Sequence, residues 1–129
     1  MHKPFITERP SYRTARFAEL IKDELTLMIP GDLSDPAFKN TPFLTITKVE
    51  VMPDLRNASV WISSMELDPE KEEDEKRIRK LEDALNRAAG YLRHQLVQSL
   101  NTKVTPALHF RFDRGFCNTM RVNTLLAKI

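Results

Sequence analysis

Apolar side chains recur between Ile78 and Leu100 at Ile78, Leu81, Leu85, Ala88, Leu92, Leu96 and Leu100. Steps of three and four lay these residues along one face of a helix. Gly90 sits near the middle of that stripe. A glycine inside a helix costs roughly 1 kcal/mol relative to alanine. Two readings are open: a buried helix packing closely over one small residue, or a helix that bends or breaks there. A second stripe runs from Tyr12 to about Ile29 through Phe17, Leu20, Ile21, Leu25, Met28 and Ile29. Ser11 can cap its start, and Pro30 with Gly31 supplies a stop.

Elsewhere the pattern alternates. Phe43 to Met52 is rich in β-branched residues and reads as a strand. Strict alternation places Thr45, Thr47, Val49 and Val51 on one face, Leu44 and Ile46 on the other. Pro53-Asp54-Leu55-Arg56-Asn57 is turn chemistry. Ala58 to Met65 forms a second strand, with Ala58, Val60 and Ile62 on one face and Trp61 on the other. So short a connection predicts an antiparallel hairpin. Trp61 is either a core or partly buried residue, which is the expectation, or an exposed platform for stacking a base. Leu67 to Glu75 reads as an acidic loop whose carboxylates favour the N-terminus of the next helix. Ala107 to Asp113 is a third strand, with Leu108, Phe110 and Phe112 on one face and His109 and Arg111 on the other. The tail from Arg114 carries one more short apolar pattern, Met120, Leu125, Leu126 and Ile129.

The order is helix, strand, strand, interrupted helix, strand. The apolar face of a three-stranded sheet must be covered, and amphipathic helices on one side would cover it. The fold class is therefore α+β in two layers. Residues 1–10 carry two prolines and no periodicity and read as a flexible arm; residues 11–129 read as a single domain.

Composition narrows the function. Residues 66–75 hold seven acids against one lysine; without them, totals of 20 Lys+Arg and 18 Asp+Glu leave the rest of the chain at +8. A basic body suits a polyanionic partner. The three histidines, His2, His94 and His109, lack metal-ligand spacing to one another or to Cys117. Three glycines in all leave no room for a phosphate-cradling or dinucleotide loop, and no nucleophile elbow occurs. The acidic run lacks the alternating ligands and turn glycine of a calcium loop. No catalytic residue, metal or cofactor is expected. One cysteine excludes an intrachain disulfide and suits a reducing cytoplasm. No apolar run approaches the roughly 18 residues of a membrane span, and the N-terminus has no apolar signal core.

Arg9, Arg13 and Arg16 cluster where a helix dipole would prefer acids, at a cost that hints at function. Around Gly90 the candidates are Arg87, Ala88, Ala89, Arg93 and His94, with Tyr91 flanking. In KH domains a glycine-containing turn between two helices holds a nucleic-acid backbone. A turn without a Cβ lets phosphates approach, and the helix N-terminus after it offers free N–H groups. Lys103 and Arg111 are the further cations expected nearby. A KH loop proper has two glycines and is excluded, because only one is present here.

These stretches together resemble the ribosome-binding factor A family. Ala88-Ala89-Gly90 matches that family's Ala-x-Gly kink, and the run from Arg13 to Ile29 looks like its first helix. Asp35-Pro36, the stretch Thr45 to Val51, Asp54-Leu55, Ala58-Ser59-Val60, Pro106 to Phe110 and Asp113 follow in family order. The insertion Phe38-Lys39-Asn40 and the lone Lys103 before the last strand depart from it. The resemblance implies a type-II KH-like domain, α-β-β-α-kink-α-β, acting as a monomer in the cytoplasm without enzymatic activity. It implies binding to the free small ribosomal subunit or its precursor and its rRNA, help in late 5′-end maturation, and a role in cold adaptation. The alternative is a protein–protein module whose basic face docks an acidic partner.

Overall fold

The computed structural model describes residues 12–32, 44–100 and 104–115. Its elements are α1 (Tyr12–Asp32), β1 (Leu44–Val51), β2 (Asn57–Ser64), α2 (Glu72–Arg87), α3 (Ala89–Leu100) and β3 (Ala107–Phe112). The order matches the sequence reading. α1 continues past Pro30 to Asp32, because a proline in a final turn removes one donor without forbidding helical φ. The acidic segment is shorter as a loop than expected, since Glu72, Glu73, Asp74 and Glu75 already form the first turn of α2. There they answer the helix dipole. Ser11, the connector 33–43, Lys103 and the tail beyond Gly115 lie outside the described residues.

The sheet order is β1-β2-β3, with β1 antiparallel and β3 parallel to the central β2. Its register brings Val49 against Val60, Val51 against Ala58 and Val60 against Phe110. These residues, with Ile62, Leu108 and Phe112, are buried against Ile21 and Leu25 of α1, Ile78, Leu81 and Leu85 of α2, and Leu92 and Leu96 of α3. The helices therefore share one face of the sheet. On the other face Lys48, Glu50, His109 and Arg111 are exposed, and Ser59 and Trp61 are half-buried.

Strict alternation fails in β1. The register slips between Ile46 and Lys48, so Ile46 pairs with Ile62 while Val49 pairs with Val60. This bulge turns Ile46 to the same buried face as Val49 and Val51. Thr47 occupies the extra position, where its hydroxyl donates to Asp113 Oδ2 at 2.8 Å. The hairpin turn is closed by Leu55 N–H on Met52 O at 2.8 Å and Arg56 N–H on Asp54 Oδ1 at 2.9 Å. Leu55 stands at φ 62, a left-handed conformation costing about 1–2 kcal/mol for a side-chain-bearing residue. Its side chain packs against the core, which offsets that cost.

β3 is an edge strand, and α2 seals it. The Asn86 side chain accepts from Phe110 N–H at 2.8 Å and donates to Phe110 O at 3.1 Å. One turn earlier Glu82 Oε2 accepts from Phe112 N–H at 2.8 Å. Residues four apart on the helix thus meet residues two apart on the strand. These bonds occupy the edge groups of Phe110 and the N–H of Phe112, and they anchor the last turn of α2.

Candidate nucleic-acid interface

The interruption between α2 and α3 falls on Ala88, not on Gly90. Ala88 has φ −85 and ψ −3, which is where the helical ladder lets go. Its N–H still donates to Ala84 O at 3.1 Å, and its carbonyl accepts from Leu92 N–H at 3.0 Å, the first bond of α3. Ala88 and Ala89 pack on the core, so the two helices turn over small side chains. Gly90 belongs to the first turn of α3 and its φ is negative. The expected glycine turn is therefore corrected: backbone freedom is not why a glycine stands here. A Cβ at Gly90 would find nothing within 4 Å. The position is exposed and open to solvent.

The two helix starts differ electrically. α2 begins with four acids, whereas the first turn of α3 has none. A helix N-terminus carries about half a positive charge on N–H groups that have no intrahelical partner. At α2 acids of the same turn answer that charge; at α3 no acid in the first turn does. Exposed Arg87 precedes this terminus, and exposed Tyr91, Arg93 and His94 follow it. Arg93 is also tethered, its Nε donating to Thr105 O at 2.9 Å, which ties α3 to the approach to β3. His94 Nε2 lies 3.3 Å from Gln98 Nε2.

The other expected contacts disperse. Arg13 and Arg16 are exposed on the first half of α1, which packs on β1 and α3. Arg9 and Lys103 lie outside the described residues. Arg111 does not face the kink, because its side chain is exposed on the sheet face opposite the helices. Its guanidinium carbon sits 5.8 Å from the Trp61 ring centroid, a cation–π contact that also covers the indole. Trp61 is half-buried, as expected, with Arg111 over one face of its ring. On the same face His109 Nε2 is 3.0 Å from Asn57 Oδ1.

Acids and bases at the start of α2 largely satisfy each other. Arg114 donates to Glu75 Oε2 at 2.6 Å, and Arg79 Nε reaches the same oxygen at 3.2 Å. Hydrogen bonding from Arg114 holds the Glu75 carboxyl below the usual glutamate range; burial opposes it, and hydrogen bonding from Arg79 adds a smaller lowering. Among the described residues no group of three His, Cys, Asp or Glu could hold a metal ion. None of the described helices is long and apolar enough to cross a membrane.

Asn86, Glu82 and the Thr47–Asp113 pair escaped the sequence reading. Polar residues on a helix or strand read as solvated surface, and only the fold shows which backbone groups they meet. The one available hint was polarity at 82 and 86, four apart and flanking the apolar Leu85.

Known proteins carry the same pattern. The chain is 38% identical over 120 residues to ribosome-binding factor A of Thermomicrobium roseum, covering 93% of this chain and 85% of that one. It is 39% identical over 116 residues to that of a Polaromonas species, covering 90% and 85%. A solution structure of a putative ribosome binding factor A from Thermotoga maritima superposes with TM-score 0.59 at 30% identity, over 84% of this chain and 92% of that one. The crystal structure of ribosome-binding factor A from Thermus thermophilus shares the fold, with TM-score 0.59 at 24% identity over 77% and 93%. A sequence family described as ribosome-binding factor A matches residues 13–126, nearly the whole chain, and this protein therefore belongs to the ribosome-binding factor A family.

Proposed function

We propose that the chain binds the free small ribosomal subunit, or its precursor, through the subunit's rRNA, and assists late assembly including maturation of the rRNA 5′ end. The family's name supports binding to the ribosome. A homology model of the Thermus thermophilus factor has been fitted into a cryo-EM map of that factor's complex with the 30S particle. In this chain the reading rests on one observation: the N-terminus of α3 carries no acid, and Gly90 leaves its surface open beside Arg87, Tyr91 and His94. That is open surface on a positive dipole end, within a KH-like frame. Tyr91, 48% exposed, offers a ring on which a base can stack. Arg13 and Arg16, exposed on α1, supply separate phosphate contacts. These contacts position the protein on RNA, and RNA shape supplies the specificity.

The protein performs no catalysis in this reading. It acts in the cytoplasm as a monomer, and its contribution is greatest in the cold, where misfolded RNA rearranges slowly. Sucrose-gradient sedimentation of a lysate tests the function. The chain should travel with free small subunits and not with complete ribosomes, and brief RNase treatment should release it. Retention on a protein partner after RNase would favour docking of an acidic protein instead.

A further inference from the structure

α1 changes character along its length. Arg13 and Arg16 are exposed on its first half, and beyond them Glu19, Leu20, Asp23 and Leu27 are exposed. Steps of four, three and four from Arg16 to Leu20, Asp23 and Leu27 keep these residues on one side of the helix. The opposite side, with Ile21, Leu25 and Met28, is the one buried in the core. Leu20 was expected within the buried stripe, yet it is 44% exposed, and Leu27 is 74% exposed. Either leucine alone would be ordinary surface. Two on one side, two turns apart with an acid between them, make a short apolar strip that the core does not use.

The charge around this strip is negative. From Glu19 to Leu27 the helix holds Glu19, Asp23 and Glu24 against Lys22. Such a surface repels phosphates, so it does not extend the RNA-facing region of Arg13 and Arg16.

We propose that the strip formed by Leu20, Asp23 and Leu27 docks a basic protein segment carrying an apolar anchor. The inference rests on the small-subunit reading above. A protein embedded among RNA phosphates must be rich in lysine and arginine to neutralise them. A protein neighbour in such a particle therefore presents positive charge. An acidic strip complements it, while leucines supply area that leaves water on contact. α1 then bridges two chemistries, RNA at its basic start and protein at its acidic end.

The experiment uses the full chain and the variants Asp23→Lys and Leu27→Ser, binding to purified small subunits and to the same rRNA stripped of protein. Each variant should bind subunits roughly five- to tenfold more weakly. On protein-free RNA, Leu27→Ser should match the natural chain, and Asp23→Lys should match or exceed it. Asp23→Lys binding subunits more tightly would show RNA against the strip and overturn the proposal. Unchanged subunit binding by both variants would overturn it as well. Both variants should remain monomers and melt within about 3 °C of the natural chain, the change that altered helix propensity alone produces. A larger fall in melting temperature would mean that this chain covers its own strip, and a natural dimer dissolved by the variants would mean that a second copy does; either result overturns the proposal. A natural chain that ignores small subunits refutes the parent reading instead.

Discussion

Gly90→Ala separates two reasons for having a glycine at the kink. If the glycine supplied a left-handed turn, alanine would be strained and the protein would lose stability. The structure puts Gly90 at negative φ in the first turn of α3, with nothing within 4 Å of an added Cβ. Alanine should then stabilise. Helix propensity and the lost freedom of the unfolded chain together contribute roughly 0.5–1 kcal/mol, the lower end because the site is near a helix terminus. For 129 residues that raises the melting temperature by about 2–5 °C. Binding should move the other way. A methyl group on the open surface holds a phosphate off the α3 terminus, weakening binding to small subunits about five- to tenfold, or about 1 kcal/mol. Gly90→Val should weaken it further. The assays are thermal unfolding followed by circular dichroism and filter binding to purified subunits. A lower melting temperature for Gly90→Ala refutes the helical geometry. A more stable variant with unchanged affinity refutes close approach of RNA at this residue and leaves the kink a purely structural joint.

Three further outcomes test the frame around it. Asn86→Ala removes both bonds to Phe110 at the open edge of β3; leaving a part-buried N–H and C=O unpaired should cost about 2 kcal/mol in urea unfolding, and a loss under about 0.5 kcal/mol would dismiss the clamp. Glu75→Gln should lower stability at neutral pH, because the Arg114 and Arg79 bonds favour the ionised carboxylate. A depressed pKa contributes stability above the ordinary glutamate value and loses it as pH falls through the folded value, so natural and variant stabilities should converge in acid; curves that stay parallel there would contradict the pairing. Finally, if about four to six phosphates are neutralised, the logarithm of subunit affinity should fall against log salt with a slope of about −3 to −5, and a flat response would rule out an electrostatic interface.

Much of this fold was legible in the chain because its signals are local. The stripes at Phe17 to Ile29 and Ile78 to Leu100, the alternation in β2 and β3 and the turn at 53–57 each report a period that a few neighbouring residues set. So does the interruption near Gly90, since small residues and a misplaced glycine are visible without a partner element. The basic character of the candidate interface was equally readable, because charge is additive along the sequence.

What remained hidden depends on contacts between distant segments. The β1 bulge is settled by the need to bury Ile46 and Val49 on the same side, against Ile62 and Val60 of another strand. Arg111 meets Trp61 because the parallel register of β2 and β3 sets the two side by side on the face that the helices leave uncovered. The break falls on Ala88 because Asn86, held to Phe110 two residues earlier, fixes where α2 ends against the sheet. By itself the sequence determined which segments are helix or strand, where most of their apolar faces lie, and that the body of the chain carries a surplus of positive charge. Only the tertiary structure decided which cations share a face and that Gly90 stands at negative φ in open space, because sidedness and open space are properties of packed elements and not of any one of them.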